Sequence, residues 1–560
     1  MQRPFLLSTL LLVLGARGAS VGAQTLSSPQ VPDAGRVLRD VQPAQGIKPF
    51  PPALKAHSDN PLDAGAVDQT LVSVSSIVIV GNREISTDEL QALVSDLVGT
   101  RQSLGQLNAA ARRITATYRE RGYLVARAYL PAQDVTSGTV TIQVIEGRIG
   151  SYRISNRSLL SDERARAYLG QMQEGGVIHS AQLDRGLLLL QDTPGVRAAR
   201  AALQPGSSVG TSDLLVELDP AQAYVANLAA DNYGNRYTGE YRLDATAAWN
   251  SPLDLGDLLS LRAISSGPDM GYARLAWQLP LGADGLKLGA AYAETRYQLG
   301  AEFSALQSHG TARSNSLFLS YPLLRSQTAN VSVTLTREDK QLVDQTDASF
   351  SRAQRLEQML ALGLAGNRQD ALWGGGMSSF DISFSSGNLA MDAASLSLDA
   401  APTSANSNGS FNKLTYSVNR QQLLSESYSL GLALSGQWAS KNLGSAEKFS
   451  LGGANGVRAY PQGEGSGDQG WLINVDLRRT LGGPWQGLVF YDAGSVDTNR
   501  NPFGMGDNSR FIAGAGLALV GVVGPLQVNV AVAWPTSGGD ARADTTKHLP
   551  RCWLQLNLPL

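Results

Sequence analysis

The chain has 560 residues and a formal net charge of −2; 17% of its residues are charged, 43% are apolar and 59 are glycine. That balance excludes a basic nucleic-acid binder, which needs a cationic surplus. It also departs from soluble domains, where about 25% of residues are charged, and fits a β protein with one non-aqueous face. One cysteine, Cys552, leaves no intramolecular disulfide and no cysteine-rich metal site; beside Trp553 it reads as a small apolar strand residue.

Residues 1–23 read as a signal peptide. Arg3 supplies the positive start, Phe5 to Leu14 the apolar core, and Val21-Gly22-Ala23 the small residues before cleavage at Gln24. The apolar core is too short to span a bilayer as a helix, and no later stretch holds 18 apolar residues in a row. If the exported chain sits in a membrane, it has to be a closed β-barrel, because only that leaves no backbone group unpaired in lipid.

Residues 24–70 are rich in proline and polar residues. Pro32-Asp33 opens a short helix with Val37, Leu38 and Val41 on one face and Arg36, Arg39 and Asp40 opposite. The stretch from Pro43 to Pro61 reads as an extended linker.

Residues 73–148 form a first small α+β module. Ile77 to Val80 is a strand, and Ser86-Thr87-Asp88-Glu89 is a capping box that starts a helix carrying Leu90, Leu93 and Leu97. A second helix carries Leu107, Ala111, Ile114 and Tyr118, with Gly122 as its terminating glycine. Strands at Leu124 to Leu130 and Thr139 to Ile145 complete the order β-α-α-β-β. Residues 149–220 repeat it: strand Tyr152 to Ile154, helices Asp162 to Met172 and Ser180 to Gln191, then strands Val196 to Leu203 and Asp213 to Leu218.

From 221 to 560 no helix is expected. Strand-like segments recur roughly every 20 residues with strict alternation. Val331, Val333 and Leu335, then Leu430, Leu432 and Leu434, then Trp471, Ile473, Val475 and Leu477, and finally Val528, Val530, Val532 and Trp534 line one face; polar or small residues line the other. This is the dyad pattern of a lipid-facing wall around a wet lumen, and the count of about 16 strands is even, as bacterial barrels require. Cys552 to Leu560 reads as the closing strand.

Motifs for chemistry are absent from this reading. Gly465 to Gly470 matches G-x-G-x-x-G, but a strand follows it where a dinucleotide site needs a helix. His57, His179, His309 and His548 are scattered, and neither a nucleophile elbow nor a Walker motif occurs. No catalytic residue, metal or cofactor is expected. Arg458 and Asp492 are the distinctive charges. Strand parity puts Phe490, Asp492 and Gly494 on one face, assigned to the lumen. The glycine-rich loop 444–470 is long enough to fold inside and bring Arg458 to Asp492 as a bidentate pair. Spacing alone fits two solvated charges equally well.

At these residues a resemblance enters. Gly456-Val457-Arg458-Ala459-Tyr460 with the glycine-rich run to Gly470, and Phe490-Tyr491-Asp492-Ala493-Gly494, resemble the loop and strand motifs of two-partner secretion transporters (the TpsB family, of the ShlB/FhaC/HecB hemolysin-activator type). Gly81-Asn82, Gly122-Tyr123, Leu130 to Gln133 and Glu146-Gly147 are similar to the family's POTRA pattern. The resemblance implies a mainly β protein: a 16-stranded transmembrane antiparallel β-barrel preceded by two periplasmic α+β POTRA domains. Arg458 and Asp492 would lock the sixth extracellular loop, with Gly456, Val457, Ala459 and Tyr460 as its loop motif and Phe490 and Gly494 as the strand motif. The helix at 32–41 would be a plug. Ala459 stands where the family has glycine, which implies that this position needs no positive φ. Leu560 stands where a terminal aromatic is usual.

What the resemblance implies for function is transport. An unfolded partner exoprotein of the hemolysin or adhesin type would bind POTRA edges through its N-terminal secretion domain by β-augmentation and pass through the pore to the surface. The remaining partners would be the lipid bilayer and the barrel-assembly machinery, with no nucleic acid and a single copy of the chain. Two POTRA modules weigh against the alternative of an outer-membrane assembly factor or insertase, and a passive porin would leave them unexplained.

Overall fold

The computed structural model describes residues 31–42, 71–170, 174–504, 506–546 and 548–560. The signal segment 1–23, the proline-rich linker 43–61 and the expected helix end at Met172 lie outside them.

The first module packs helices on a three-stranded sheet in the order 76–80, 139–145, 127–129. Val140, Ile142 and Val144 alternate inward and meet Leu107, Ala111, Ile114 and Tyr118 from the long helix Leu104–Glu120. Each large side chain buried this way is worth roughly 1.5–3 kcal/mol. The Glu146-Gly147 pair has a structural reason. Buried Glu146 accepts from Tyr118 Oη at 3.0 Å and from the backbone N–H groups of Arg83 and Glu84 at 2.6 and 2.7 Å. Burial and that carboxylate push the Tyr118 phenol well above its ordinary range.

Two local expectations change. Ser86 caps its helix, but Glu89 pairs with Arg121 instead of closing the box. The helix ends at Ala92, and Leu97 reaches the core from a 3-10 turn. The reciprocal capping box belongs to Ser103 and Gln106. The strand expected over 124–130 shrinks to Arg127–Tyr129, because Ala126 N–H turns back to Tyr123 and Pro131 offers no donor.

The second module repeats the architecture, with sheet order 148–156, 211–220, 196–205 and helices Asp162–Leu169 and Ser180–Gln191. It is fastened to the barrel rim. Asp192 accepts two hydrogen bonds from Arg325, at 2.8 and 2.9 Å. Arg185 and Arg164 donate to the carbonyls of Pro322 and Pro280 at 3.0 and 2.7 Å.

Sixteen antiparallel strands then close on themselves: β1 (Tyr224–Asp231), β2 (Arg242–Asn250), β3 (Leu258–Ser265), β4 (Met270–Leu281), β5 (Leu286–Gln298), β6 (Ser308–Arg325), β7 (Ala329–Thr346), β8 (Ser351–Asp370), β9 (Gly376–Met391), β10 (Gly409–Leu423), β11 (Tyr428–Ala439), β12 (Gln469–Gly482), β13 (Trp485–Asp497), β14 (Ser509–Val523), β15 (Leu526–Ser537) and β16 (Arg551–Pro559). Each pairs with its chain neighbour, and β16 returns to β1 between Gln555↔Asp231 and Pro559↔Asn227. Leu335, Leu432, Leu434, Trp471, Leu477 and Trp534 face outward and exposed, as a lipid-facing wall requires. Short turns gather on the rim that carries the second module. Long loops gather on the opposite rim. One of them carries a short helix, Ala393–Asp399, where none was expected beyond residue 221; Asp392 caps it by accepting from Ser395 N–H at 2.7 Å. The loop after β11, residues 440–468, is the one that turns into the barrel.

Candidate functional site

Two elements fill the lumen: the helix α1 (Ala34–Val41) and the loop 440–468. Asp33 is the N-cap of α1, accepting from Arg36 N–H at 3.0 Å. It also receives Arg355 Nη1 from β8 at 2.9 Å and the Ser445 hydroxyl at 2.7 Å. Burial alone would raise its carboxyl; Arg355, Ser445 and the Arg36 N–H outweigh that and hold it down to about 2. Ala34 N–H donates to Asp344 at 2.8 Å. The apolar face, Val37, Leu38 and Val41, is buried against Ile264, Met270, Tyr272, Tyr297 and Leu342 of the wall and Tyr237 of the loop between β1 and β2. Arg39 on the other face reaches the Lys448 carbonyl at 2.9 Å.

The helix rests on the loop as much as on the wall. A Cβ on Gly35 would lie 2.4 Å from Ser445 Oγ and 2.7 Å from Ala446 N, so only glycine allows this approach. Glycine and alanine at 34 and 35 are the sequence trace of that contact.

The loop is held at three levels. At its base the 3-10 turn Ser445–Glu447 sets buried Glu447 between Lys340 and Lys413, and Lys340 also pairs with Glu357 at 3.1 Å. Lys448 pairs with fully buried Asp468 at 2.6 Å; Asp468 further accepts from the N–H groups of Leu443 and Arg500 at 3.1 and 2.8 Å. At mid-loop Arg458 meets Asp492 on β13. Its backbone N–H, Nε and Nη2 donate to that carboxylate at 3.0, 2.8 and 2.6 Å, and Nη2 also reaches Asp476 at 2.7 Å. Asp492 is fully buried and takes a fourth bond from Asn474 at 2.7 Å. The Phe490 ring lies under the guanidinium, 3.5 Å from centroid to Cζ. At the tip, buried Glu464 accepts from Arg510 at 2.8 and 3.1 Å and from Arg542 and Ala543 N–H, both at 2.7 Å.

The motif residues each have a place. A Cβ on Gly456 would fall 1.9 Å from the Leu451 carbonyl oxygen, and one on Gly494 2.6 Å from Leu451 Cδ2. Val457 is fully buried, and Tyr460 Oη donates to the carbonyls of Ser537 and Gly539 at 2.9 and 2.8 Å. Ala459 is not among the positive-φ residues. Its methyl is accommodated by Gly514, where a Cβ would come within 2.3 Å of it. Gly465 to Gly470 leads through the short strand Ser466–Gly467 into β12, with no helix. Sequence reasoning singles out neither Glu464 nor Asp468, although one stands just before that glycine-rich run and the other inside it. Asp33 and Arg355 are separated by 322 positions, so no spacing links them.

This arrangement is a barrel whose lumen holds a short helix and a wedged loop, preceded by two tandem β-α-α-β-β modules. Residues 210–521 match the sequence profile of the haemolysin secretion/activation proteins ShlB/FhaC/HecB. The chain belongs to that family. Residues 72–147 match the ShlB-type POTRA domain. The chain is similar to the heme/hemopexin transporter protein HuxB of Haemophilus influenzae, with 29% identity over 94% of each chain. It is also similar to the hemolysin transporter protein ShlB of Serratia marcescens, with 25% identity over 73% of this chain and 72% of the relative. The solved structure of CdiB from Escherichia coli shares the fold, with a TM-score of 0.73 and 20% identity over 90% of this chain and 94% of the other. The transporter is therefore an outer-membrane secretion protein of the two-partner type that carries exoprotein to the cell surface. Its POTRA modules are periplasmic, and the long-loop rim faces outward.

Proposed function

We propose that the transporter is closed at rest by α1, and that a single exoprotein, unfolded in the periplasm, opens it by displacing that helix while the loop 440–468 stays in place. The contrast in anchoring carries this reading. α1 is a single eight-residue helix that rests on three buried apolar side chains, Val37, Leu38 and Val41, with the Asp33 cap and its pair with Arg355 as its ionic anchor. The Tyr272 hydroxyl, buried beside α1, finds no hydrogen-bond partner among the described residues, which subtracts from that anchoring. The loop, by contrast, is tied at base, middle and tip by buried carboxylates. Removing α1 opens a route along β3–β8, and Arg458 with Asp492 holds the loop against the opposite wall while cargo passes.

Cargo recognition falls to POTRA sheet edges. In the second POTRA module the strand 148–156 is covered at its start by 175–178, where Ile149 N–H donates to the Gly176 carbonyl and the Ile149 carbonyl accepts from Gly175 N–H. The first module offers at one edge only Arg127–Tyr129. The ten-residue edge Val196–Pro205 is long enough to accept an added strand. The relatives carry heme/hemopexin-linked and hemolysin names; a large secreted protein of that kind is the cargo class proposed for this transporter. The closed barrel needs no second copy, so the working unit is a monomer inserted by the barrel-assembly machinery.

The test is secretion of the partner exoprotein with and without the transporter, with total outer-membrane protein profiled in parallel, and a cysteine at Ala202 to trap the cargo. Loss of that one exoprotein, and a cross-link from Ala202→Cys to its N-terminal domain, are expected. A general fall in barrel proteins would instead make the chain an assembly factor. Absence of the cross-link would move recognition to another edge.

A further inference from the structure

We infer that the outer wall of the barrel across β3–β7 is a binding site for a phosphorylated, multiply acylated lipid of the outer leaflet, of lipid A chemistry. A groove of about 420 Å³ runs across this wall. Leu275, Trp277, Tyr292 and Leu317 form its sides, each at least 43% exposed, and Ala290 leaves its floor low. The row Leu259↔Trp277↔Ala290↔Leu317↔Arg337 is one continuous line of paired residues over five strands. At roughly 4.8 Å between strands, its four gaps span about 19 Å, the length of an extended acyl chain. The groove ends on Asn315, Arg337 and Asp339.

That end lies at the top of the apolar band. On β7 the outward residues Val331, Val333 and Leu335 give way to Arg337, Asp339 and Gln341; on β6 Leu319 and Leu317 give way to Asn315, Arg313 and Thr311. On β5 Tyr292 gives way to Glu294 and Arg296. Strands β5–β8 thus continue beyond the lipid band with a polar outer face. Four outward arginines stand there (Arg296, Arg313, Arg337 and Arg352) against two outward carboxylates, Glu294 and Asp339, an excess of two cations. Glu294 takes bonds from Arg296 and Arg313 at 2.7 and 3.1 Å, and Asp339 from Arg337 at 3.2 Å. These pairs orient the guanidinium groups yet leave them 74%, 48% and 58% exposed in turn. Arginine forks suit phosphate oxygens. The apolar trough below and the cationic row above match one amphipathic ligand: acyl chain in the groove, phosphate on the arginines. The long-loop rim faces outward, so the leaflet that meets this row is the outer one.

The test uses the full-length transporter in detergent after lipid exchange. Bis-phosphorylated lipid A, its dephosphorylated form and phosphatidylglycerol are titrated, and bound lipid is counted by native mass spectrometry. Lipid A is expected to bind about tenfold more tightly than either comparison lipid, a difference of about 1.4 kcal/mol. The double variant Arg313→Ala/Arg337→Ala and, independently, Ala290→Trp should each lower that affinity about tenfold. Both alter the outer surface only, and heat-modifiable migration confirms a folded barrel. Equal binding of the dephosphorylated lipid, equal binding of phosphatidylglycerol, or wild-type affinity in both folded variants would overturn the assignment.

Discussion

Replacing Asp492 removes the acceptor of four hydrogen bonds at once, three of them from Arg458. In Asp492→Ala the Arg458 side chain, only 13% exposed, keeps Asp476 as partner. The loss therefore falls short of an orphaned buried charge but exceeds an ordinary hydrogen bond. Breaking a buried pair costs about 3–5 kcal/mol; the retained Asp476 contact lowers this, and the Arg458 backbone N–H and the one Asn474 N–H not held by the Gly456 carbonyl add about 1 kcal/mol each. A net loss of about 3–5 kcal/mol in the loop-docked state is expected. Asp492→Asn, which keeps the shape and loses the charge, should cost about half as much. The assay is thermal unfolding of the purified transporter in detergent, read as loss of the compact electrophoretic form. Cysteine accessibility at Tyr460→Cys reports whether the loop has left its seat. A double-mutant cycle with Arg458→Ala should give a coupling of about 2–3 kcal/mol. Additive effects in the cycle, or an Asp492→Ala barrel within about 0.5 kcal/mol of the parent, would refute the claim that this pair holds the loop.

Two further outcomes follow from the contacts of α1 and of the second POTRA module. The Asp33 carboxyl is held at about 2 against an ordinary value of 3.8, so its contribution to plug docking is complete above about pH 4 and is lost as the pH falls toward 2. Pore conductance in planar bilayers should stay low from pH 8 to 5 and rise only below about pH 4, and Asp33→Asn, which keeps the cap, should flatten that rise; a step between pH 5 and 7 would contradict it. At the rim, Asp192→Ala leaves Arg325, 8% exposed, without its bidentate acceptor, and should raise proteolysis at 220–224 severalfold without altering barrel migration; an unchanged cleavage rate would show that the other rim contacts suffice.

The barrel was legible because its physics is local. A side-chain period of two with apolar residues outward is written into each strand, and Leu430 to Leu434 or Val528 to Trp534 shows it without reference to any partner. The amphipathic face of α1 is legible for the same reason, at helical spacing. Strand parity puts Phe490, Asp492 and Gly494 on one face, and the structure buries these residues in the wall beside Arg458; their part in transport is for the variants to decide. What the sequence does not display are contacts between distant segments. Nothing near Asp33 points to Arg355, nothing near Glu447 to Lys340, and the acidic residues Glu464 and Asp468 look like solvated turn charges until the loop enters the lumen. Local misreadings have local causes: Ser86 and Glu89 have the spacing of a capping box, but Arg121 competes for the carboxylate.

The central claim, that α1 must leave while the loop remains, is tested most directly by tying the two together. Arg39 Nη1 on α1 lies 3.2 Å from Ser466 Oγ of the loop. Arg39→Cys and Ser466→Cys are made with Cys552 replaced by serine, and the two thiols are bridged by a short bis-thiosulfonate that a reductant removes. Secretion of the partner exoprotein should stop with the bridge in place and return on reduction, with the single-cysteine controls secreting throughout. Normal secretion through a barrel whose bridge is shown to be fully formed would mean that cargo passes with the helix in place, and the account would be wrong.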